Sequence, residues 1–423
     1  MGRVVRRRWQ SQLDVGLSRR DRQGCEYEAY VPDSLEGRTF RLDGGVAADV
    51  ADAEAAVRGL NASATALVDT EALARLLLRA ESVASSRIEG LEVGGRRLLR
   101  AEAARALGEP ATDVTAEEVL SNIDAMTWAV DLLASTPSVT VEGILEVHRR
   151  LLSGARLAEH AGRIRQEQNW IGGSGYNPCS AAFVPPPAED VGPLLDDLCA
   201  FCNDDGLPSV AQAAIAHAQF ETIHPFVDGN GRTGRALIHV VLRRRGLTPR
   251  ALPPVSLVLA TWSQAYIDGL AATRYLGSPD SEAAHEGINR WVGTFSAACR
   301  RAVDDAWDFE FLIAELQRRW RESLGQVRAG SSTALLIAAL PGAPIVTVTS
   351  AAALIGRSFQ ATNEAVRRLE AVGILTQVAI GRRNRAFEAR DMLDAFTSLE
   401  RRLAGPAGDT RYSSPARPAP RRS

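Results

Sequence analysis

His224-Pro225-Phe226-Val227-Asp228-Gly229-Asn230-Gly231-Arg232-Thr233-Gly234-Arg235 is the stretch on which the reading of this chain turns. Residues 208–223 and 232–245 on either side have helical apolar spacing, so the stretch is a polar loop between two helices. Gly229 and Gly231 let the backbone adopt open conformations that expose N–H groups. The second helix starts at once and turns its positive end to the loop, and loop amides beside a helix N-terminus form an anion site. Arg232 and Arg235, three residues apart at that end, add guanidinium contacts to phosphate oxygens. Asp228 is the lone carboxylate, placed for a hard cation such as Mg²⁺. His224 enters the loop and can accept a proton near neutral pH. Phe226 is expected to face inward and anchor the loop. Singly, each residue fits a polar interhelical loop with a core histidine. Together they form a base, a metal carboxylate, a phosphate nest and arginines, a set suited to phosphoryl or nucleotidyl transfer from a nucleotide.

Outward from the loop the pattern stays mostly helical. Residues 1–26 are polar and rich in Arg, Gln and Asp, and are expected to be flexible. Helical spacing runs from about Asp49 to Leu107 and includes a segment from Thr70, a candidate N-cap, through Leu73, Leu76, Leu77 and Ala80 to Glu89. Gly90 breaks it. Residues 116–157, 187–203 and 260–330 also read as helices. Between Asn169 and Val184, two short apolar pieces flank a Gly/Asn/Pro turn and predict a small β-hairpin flap, ended by Pro185-Pro186-Pro187.

From about Ser331 the texture changes. A helix (331–340), the strand-like Val346-Thr347-Val348-Thr349, a short helix to Ile355, a helix over about Gln360–Val372 and a basic tip, Gly381-Arg382-Arg383-Asn384-Arg385, suggest a winged helix-turn-helix. Residues 350–390 hold seven Arg against three Glu, a local positive excess. If this module binds DNA, Arg367, Arg368, Arg382, Arg383 and Arg385 contact phosphates, with Gln360 and Asn363 near base edges. Protein docking or dimerisation is the other use of such a module. The Pro/Arg/Ser tail after it cannot form a core.

Composition narrows the field. At 423 residues and 45% hydrophobic content, the chain can build two or three cored domains. Its 49 basic and 51 acidic residues nearly cancel, which argues against a global polyanion-coating role. Every basic residue is Arg. The absence of lysine excludes a Walker-A phosphate loop, a Schiff base and an adenylated-lysine mechanism. No apolar run is long enough to span a bilayer. Five cysteines make a poor disulfide framework, and Cys199-Ala200-Phe201-Cys202 reads as core packing on one helical face. These features fit a reduced cytoplasm and no membrane partner.

The central loop resembles, without departure, the signature of the Fic (filamentation induced by cAMP) family, His-x-Phe-x-Asp/Glu-Gly-Asn-Gly-Arg-x-x-Arg. Gly162-x-x-Arg165-x-x-Gln168-Asn169-Trp170-Ile171-Gly172-Gly173 with Phe183-Val184-Pro185-Pro186 resembles the family's flap, and Tyr30-Val31-Pro32 with Leu35 the start of its accessory region. The resemblance implies Mg²⁺-dependent adenylyl transfer from ATP to a Ser, Thr or Tyr hydroxyl of a protein target, the chain itself included. By that likeness His224 is the base, Asp228 holds Mg²⁺, and Gly229, Asn230, Gly231, Arg232, Thr233, Gly234 and Arg235 bind ATP. Gly231 stands where a phosphorylating branch carries Lys. Tyr266 matches the first of two adenine-side tyrosines and Ile267 departs at the second, so Tyr266 is either an adenine contact or ordinary helix packing.

Ser85-Ser86-Arg87-Ile88-Glu89-Gly90 resembles the family's inhibitory motif, Ser/Thr-x-x-x-Glu-Gly/Asn. Ser85 and Glu89 share a helical face. The carboxylate sits at a helix end that disfavours it, so it gains from a cation elsewhere. The resemblance makes that cation Arg235. The expected fold is thus mainly α: a flexible N-terminus (1–26), an accessory region with inhibitory helix (27–115), a Fic-type helical core with a β-hairpin flap (116–300), a helical connector (301–330), a winged helix (331–400) and a disordered tail (401–423). De-AMPylation of the same target, or DNA-binding regulation by a nucleotide-sensing core, are the alternative functions. A homodimer is left open.

Overall fold

The computed structural model describes all residues except 12–17, 20, 23, 64–69, 110–111, 156, 381–383 and 404–423. The wing-tip Gly381, Arg382 and Arg383, the tail, and the side chain of the expected Thr70 cap lie outside this description. The helices are α1 (Gly44–Ser63), α2 (Thr70–Ile88), α3 (Gly95–Ala106), α4 (Val114–Asp131), α5 (Val141–Leu151), α6 (Ala188–Asn203), α7 (Ser209–Ile223), α8 (Asn230–Arg244), α9 (Val255–Thr261), α10 (Ser263–Ala272), α11 (Glu282–Leu324), α12 (Ser332–Ala339), α13 (Val348–Ile355), α14 (Phe359–Ala371) and α15 (Arg390–Leu403). The strands are β1 (Arg3–Trp9), β2 (Cys25–Val31), β3 (Ile345–Val346), β4 (Thr376–Ile380) and β5 (Asn384–Glu388). The protein is therefore mainly helical with two small sheets. No described helix is long and apolar enough to cross a membrane.

The chain divides into two compact units. The first comprises residues 1–52, 128–246 and 264–297. At its centre is α7, all of whose residues are buried. Its sequence, Ser209-Val-Ala-Gln-Ala-Ala-Ile-Ala-His-Ala-Gln-Phe-Glu-Thr-Ile223, has small and apolar residues on every side, with Gln212, His217, Gln219 and Glu221 buried among them, as suits a helix surrounded by others. The helix α8 follows after six residues and is buried from Asn230 to Leu242. Gly234 sets their approach: a Cβ there would lie 2.8 Å from Phe220 Cδ1 and 2.7 Å from Glu221 Oε1.

The N-terminus departs from expectation. Instead of a flexible run over 1–26, β1 pairs antiparallel with β2, from Arg3 opposite Val31 to Trp9 opposite Cys25. Arginine-rich polarity suggested disorder, but charged side chains also suit an exposed edge strand. Arg6 bridges Glu28 at 3.1 Å, and Trp9 packs edge-on to Trp170 at 5.1 Å. The helical run expected over 116–157 is also broken. After α4 and a short 3₁₀ turn, Pro137 interrupts, and the Thr140 side chain caps α5 by accepting from Gly143 N at 3.1 Å. Within 260–330, α10 and α11 are separated by a turn containing Gly277 and Pro279.

The second unit comprises residues 53–127, 247–263 and 298–423. Here Glu81 of α2, fully buried, accepts from Ser256 N at 2.8 Å at the start of α9, where a carboxylate complements the helix dipole. Asn122 donates to Ser82 O at 2.8 Å and to Ser86 Oγ at 3.0 Å, which fixes the last turns of α2. Its C-terminal part holds α12, α13, α14 and a three-stranded antiparallel sheet in the order β3-β5-β4. The Arg368 guanidinium, which a DNA-binding reading would place on phosphate, donates to the carbonyls of Leu324 (3.1 Å), the last residue of α11, and Gln326 (2.9 Å), just beyond it.

Candidate active site

Helix α7 delivers His224. At its C-cap His224 takes φ 49° and ψ 62°, the left-handed region, and among the described residues it is the sole non-glycine with positive φ. Such a conformation costs a residue bearing a Cβ about 1–2 kcal/mol, so its surroundings must enforce it. Arg165 does so. It is buried, and it donates from Nε to His224 O (2.9 Å), from its terminal nitrogens to Glu167 O (3.0 Å), Pro186 O (2.5 Å) and Ile223 O (3.4 Å), and from its backbone N to Pro225 O (2.9 Å). Burial draws its pKa down to about 10, so it stays charged at neutral pH. A cation on the last carbonyls of α7 also meets the negative end of that helix.

The rest of the loop is held as firmly. Asn230 accepts from Phe226 N and donates to Phe226 O, both at 2.8 Å. Asn169 donates to His224 O (3.1 Å) and Phe226 O (3.0 Å). Phe226 is fully buried, as expected, and stacks on His148 at 3.7 Å. The tautomer of His148 follows from its partners: Gly162 N donates to Nδ1 (3.0 Å), so the ring proton is on Nε2, which donates to Asp228 O (3.0 Å). Burial lowers the His148 pKa to about 4, keeping the ring neutral.

At the entrance to α8, Gly229 has φ 75°. A Cβ there would come within 2.9 Å of Leu151 Cδ2. Arg232, Thr233 and Arg235 are 4%, 2% and 1% exposed. Arg232 reaches Asp228 Oδ2 at 3.3 Å, yet its Nε, like Thr233 Oγ1, has no partner among the described residues. Buried polar groups of this kind are normally satisfied, and an anion on the first turn of α8 would satisfy donors there. Asp228 is half-exposed. Among the described residues no three His, Cys, Asp or Glu side chains cluster as a ready metal cage. A single half-exposed carboxylate such as Asp228 could serve as one ligand of a hard cation such as Mg²⁺, which keeps several waters of its own. His224 Nδ1 lies 3.9 Å from Glu221 Oε2.

Not every expected residue faces this loop. The Asn230 side chain is spent on Phe226, and Gly234 faces α7. Tyr266 is buried, with its hydroxyl 2.8 Å from His217 Nε2 and the two rings stacked, while Ile267 is exposed. Burial, reinforced by the nearby Arg235 charge, lowers His217 to about 3. Ser85 and Glu89 belong to the second unit. Ser85 is fully buried, and Glu89 follows the end of α2, exposed, its N–H on Ser86 O at 3.1 Å. Gly90 at φ 81° then ends the turn.

The flap closes by an antiparallel bridge between Ile171 and Phe183, with Ile171 N donating to Phe183 O at 2.8 Å. The N-terminal ribbon abuts it: Tyr30 N donates to Val184 O at 2.9 Å, and a disulfide joins Cys25 to Cys179. That bond departs from the expectation that five cysteines make a poor disulfide framework in a reduced setting; its cysteines lie 154 residues apart, so spacing gave no signal. Cys199, Cys202 and Cys299 are free and buried, and burial raises Cys199 to about 12. His148 and His217 were missed as loop and helix supports. The available signal was one ring on an apolar face, with Ile144, Val147 and Leu151 around His148.

Comparison with known proteins agrees with the loop. Residues 138–242 match the Fic/DOC family, and residues 47–131 match the Fic/DOC family N-terminal region. Protein adenylyltransferase fic-1 of Caenorhabditis elegans is 31% identical over 163 residues, 38% of this chain and 30% of that one. Protein adenylyltransferase Fic of Drosophila virilis is 35% identical over 139 residues, 32% of this chain and 27% of the relative. The chain thus spans about a third of the length of the curated relatives it matches. A crystal structure of a Fic family protein from Desulfovibrio desulfuricans shares the fold, with a TM-score of 0.50 and 20% identity over 83% of this chain and 97% of that one.

Proposed function

We propose that this chain is a Fic-family protein adenylyltransferase that moves AMP from ATP to a Ser, Thr or Tyr hydroxyl of a protein target, itself included. The observation that carries this reading is the enforced left-handed His224 beside the buried Arg232 and Arg235 at the start of α8. A base fixed at the C-terminus of one helix faces an anion site at the N-terminus of the next. His224 removes the hydroxyl proton, the hydroxyl oxygen bonds to the α-phosphorus, and the α–β phosphoanhydride bond breaks to release pyrophosphate. Loop amides and the two guanidiniums neutralise charge on the phosphates. Asp228 would hold Mg²⁺, which supplies further charge neutralisation when bound. The flap, with the main chain of Ile171–Phe183, aligns the target by strand-like pairing.

The proposal includes self-restraint by Glu89. Its carboxylate takes the Arg235 guanidinium that the γ-phosphate needs, so ATP binds without presenting the α-phosphorus for attack. Support comes from the Ser85–Gly90 pattern at the end of α2 and from the Asn122 contacts that fix that end. The test is auto-labelling by ATP labelled in the α-phosphate. Glu89→Gly should raise it at least about tenfold, the effect of removing one charge-assisted contact. Arg235→Ala should not, and the double variant should behave as Arg235→Ala. Release of label from a pre-modified target, without transfer, would establish removal of AMP instead.

A further inference from the structure

The outer side of α11 carries a pattern that no part of the proposed reaction uses. From residue 298 onward this helix belongs to the second unit. Its Ala306, Phe309, Ile313 and Trp320 are buried, whereas Phe311 is 76% exposed. One exposed phenylalanine is ordinary on a protein surface; its companions on the same helical face set this one apart. Steps of four, seven and eleven residues stay on one side of a helix. Backward from Phe311 they reach Trp307, Asp304 and Arg300, and forward they reach Glu315, Arg318 and Glu322. All six are exposed or half-buried. The face is thus symmetric in position about Phe311 and opposite in charge at its ends: Arg300 answers Glu322, and Asp304 answers Arg318. It spans about 33 Å, at about 1.5 Å per residue. Within the chain these charges already pair along the helix, Arg300 with Asp304 and Arg318 with both Glu315 and Glu322. What the face presents is therefore an ordered alternation of sign, not an uncompensated charge.

We propose that this face of α11 pairs with the same face of a second copy of this chain, antiparallel and two-fold symmetric about Phe311. A two-fold axis there sets each residue opposite the one equally far along the helix in the other direction. Phe311 packs on Phe311. Each Trp307 indole lies beside that contact with its N–H toward the Glu315 carboxylate of the second copy. Arg300 faces Glu322 and Asp304 faces Arg318, each contact occurring twice. Every acid–base pair along one helix meets a pair of reversed polarity, so the existing contacts join across the interface into networks. An in-register parallel pair would set Arg300 against Arg300 and Asp304 against Asp304, so charge selects the antiparallel arrangement. The same pattern names the partner, because the reversed sequence of signs that the face requires is the one the chain itself carries.

The test is sedimentation velocity of the full chain over a range of concentrations at neutral pH, with helix content and melting temperature as checks of folding. The chain is expected to interconvert reversibly between monomer and dimer. Phe311→Glu, at an exposed position, sets two carboxylates together on the axis and should weaken the dimer at least about tenfold. Asp304→Arg alone and Arg318→Asp alone should each be mainly monomeric, since each sets like charges together twice. An equimolar mixture of these two variants should recover the dimer, because in a mixed pair both contacts again join opposite charges. Damage to the helix cannot produce that recovery. The proposal is overturned if the chain is monomeric at every concentration, if its dimer is indifferent to Phe311→Glu, if either single charge variant dimerises like the parent, or if the mixture of folded variants stays monomeric. Failure of the adenylyltransferase reading would leave this result standing, since no arm of the test depends on ATP.

Discussion

Arg165 Nε donates to the carbonyl oxygen of His224 at 2.9 Å, and the same guanidinium reaches three further carbonyls. The left-handed backbone of His224 is thus held by an arginine 59 residues earlier in the chain. Arg165→Met should leave several buried carbonyls without a donor and cost about 3 kcal/mol or more. Arg165→Lys should recover little, because a single ammonium cannot span a planar fork of acceptors. Chemical denaturation measures the stability, and transfer rate should fall in parallel.

His148 predicts a pH dependence. Its pKa is lowered by burial from 6.5 to about 4. The unfolded chain therefore takes up a proton on this ring before the folded one does. Stability from the neutral ring is full above about pH 6.5 and is lost as pH falls toward about 4, at about 1.4 kcal/mol per pH unit. His148→Gln should be less stable at neutral pH but should lose stability less steeply in that window. Parallel slopes in urea denaturation at several pH values would remove His148 from this role.

Gly234 separates packing from phosphate binding. Its missing Cβ would overlap Phe220 and Glu221. Gly234→Ala should destabilise by about 1–3 kcal/mol, as overpacking does. In the folded fraction, ATP affinity should be unchanged. A selective loss of ATP binding with normal stability would return Gly234 to the phosphate site.

The Cys25–Cys179 bond closes a long loop between β2 and the flap. Cys25→Ser should cost about 2–4 kcal/mol under non-reducing conditions. In the presence of dithiothreitol the variant and the parent should have nearly equal denaturation midpoints.

The sequence made the loop readable because its constraints are local. Two glycines, a histidine and two arginines at fixed offsets state their chemistry within a few residues, and Phe226 could be placed inside by its polar neighbours. The long helices were legible from apolar spacing. The supports of the loop were not, because they are non-local: Arg165 reaches the ends of α7, and His148 reaches Asp228 across 80 residues. The same holds for β1, whose pairing with β2 is set by partners from 16 residues on, at Cys25, to 28 residues on, at Val31. Pro137 was a visible signal, and it ends the helical run where the periodic pattern suggested continuity. Tyr266 has a partner that is equally non-local. Its hydroxyl is engaged by His217, which no local spacing could reveal.

The central claim is that His224 activates a hydroxyl for attack on the α-phosphorus of ATP. The most direct measurement compares purified Glu89→Gly protein with the Glu89→Gly/His224→Ala double variant, each incubated with Mg²⁺ and ATP labelled in either the α- or the γ-phosphate. The account predicts protein-bound label from α-labelled ATP only, reduced about 10²-fold or more by His224→Ala, with ATP affinity nearly unchanged. Label retained from the γ-phosphate, or equal α-labelling with and without His224, would contradict it.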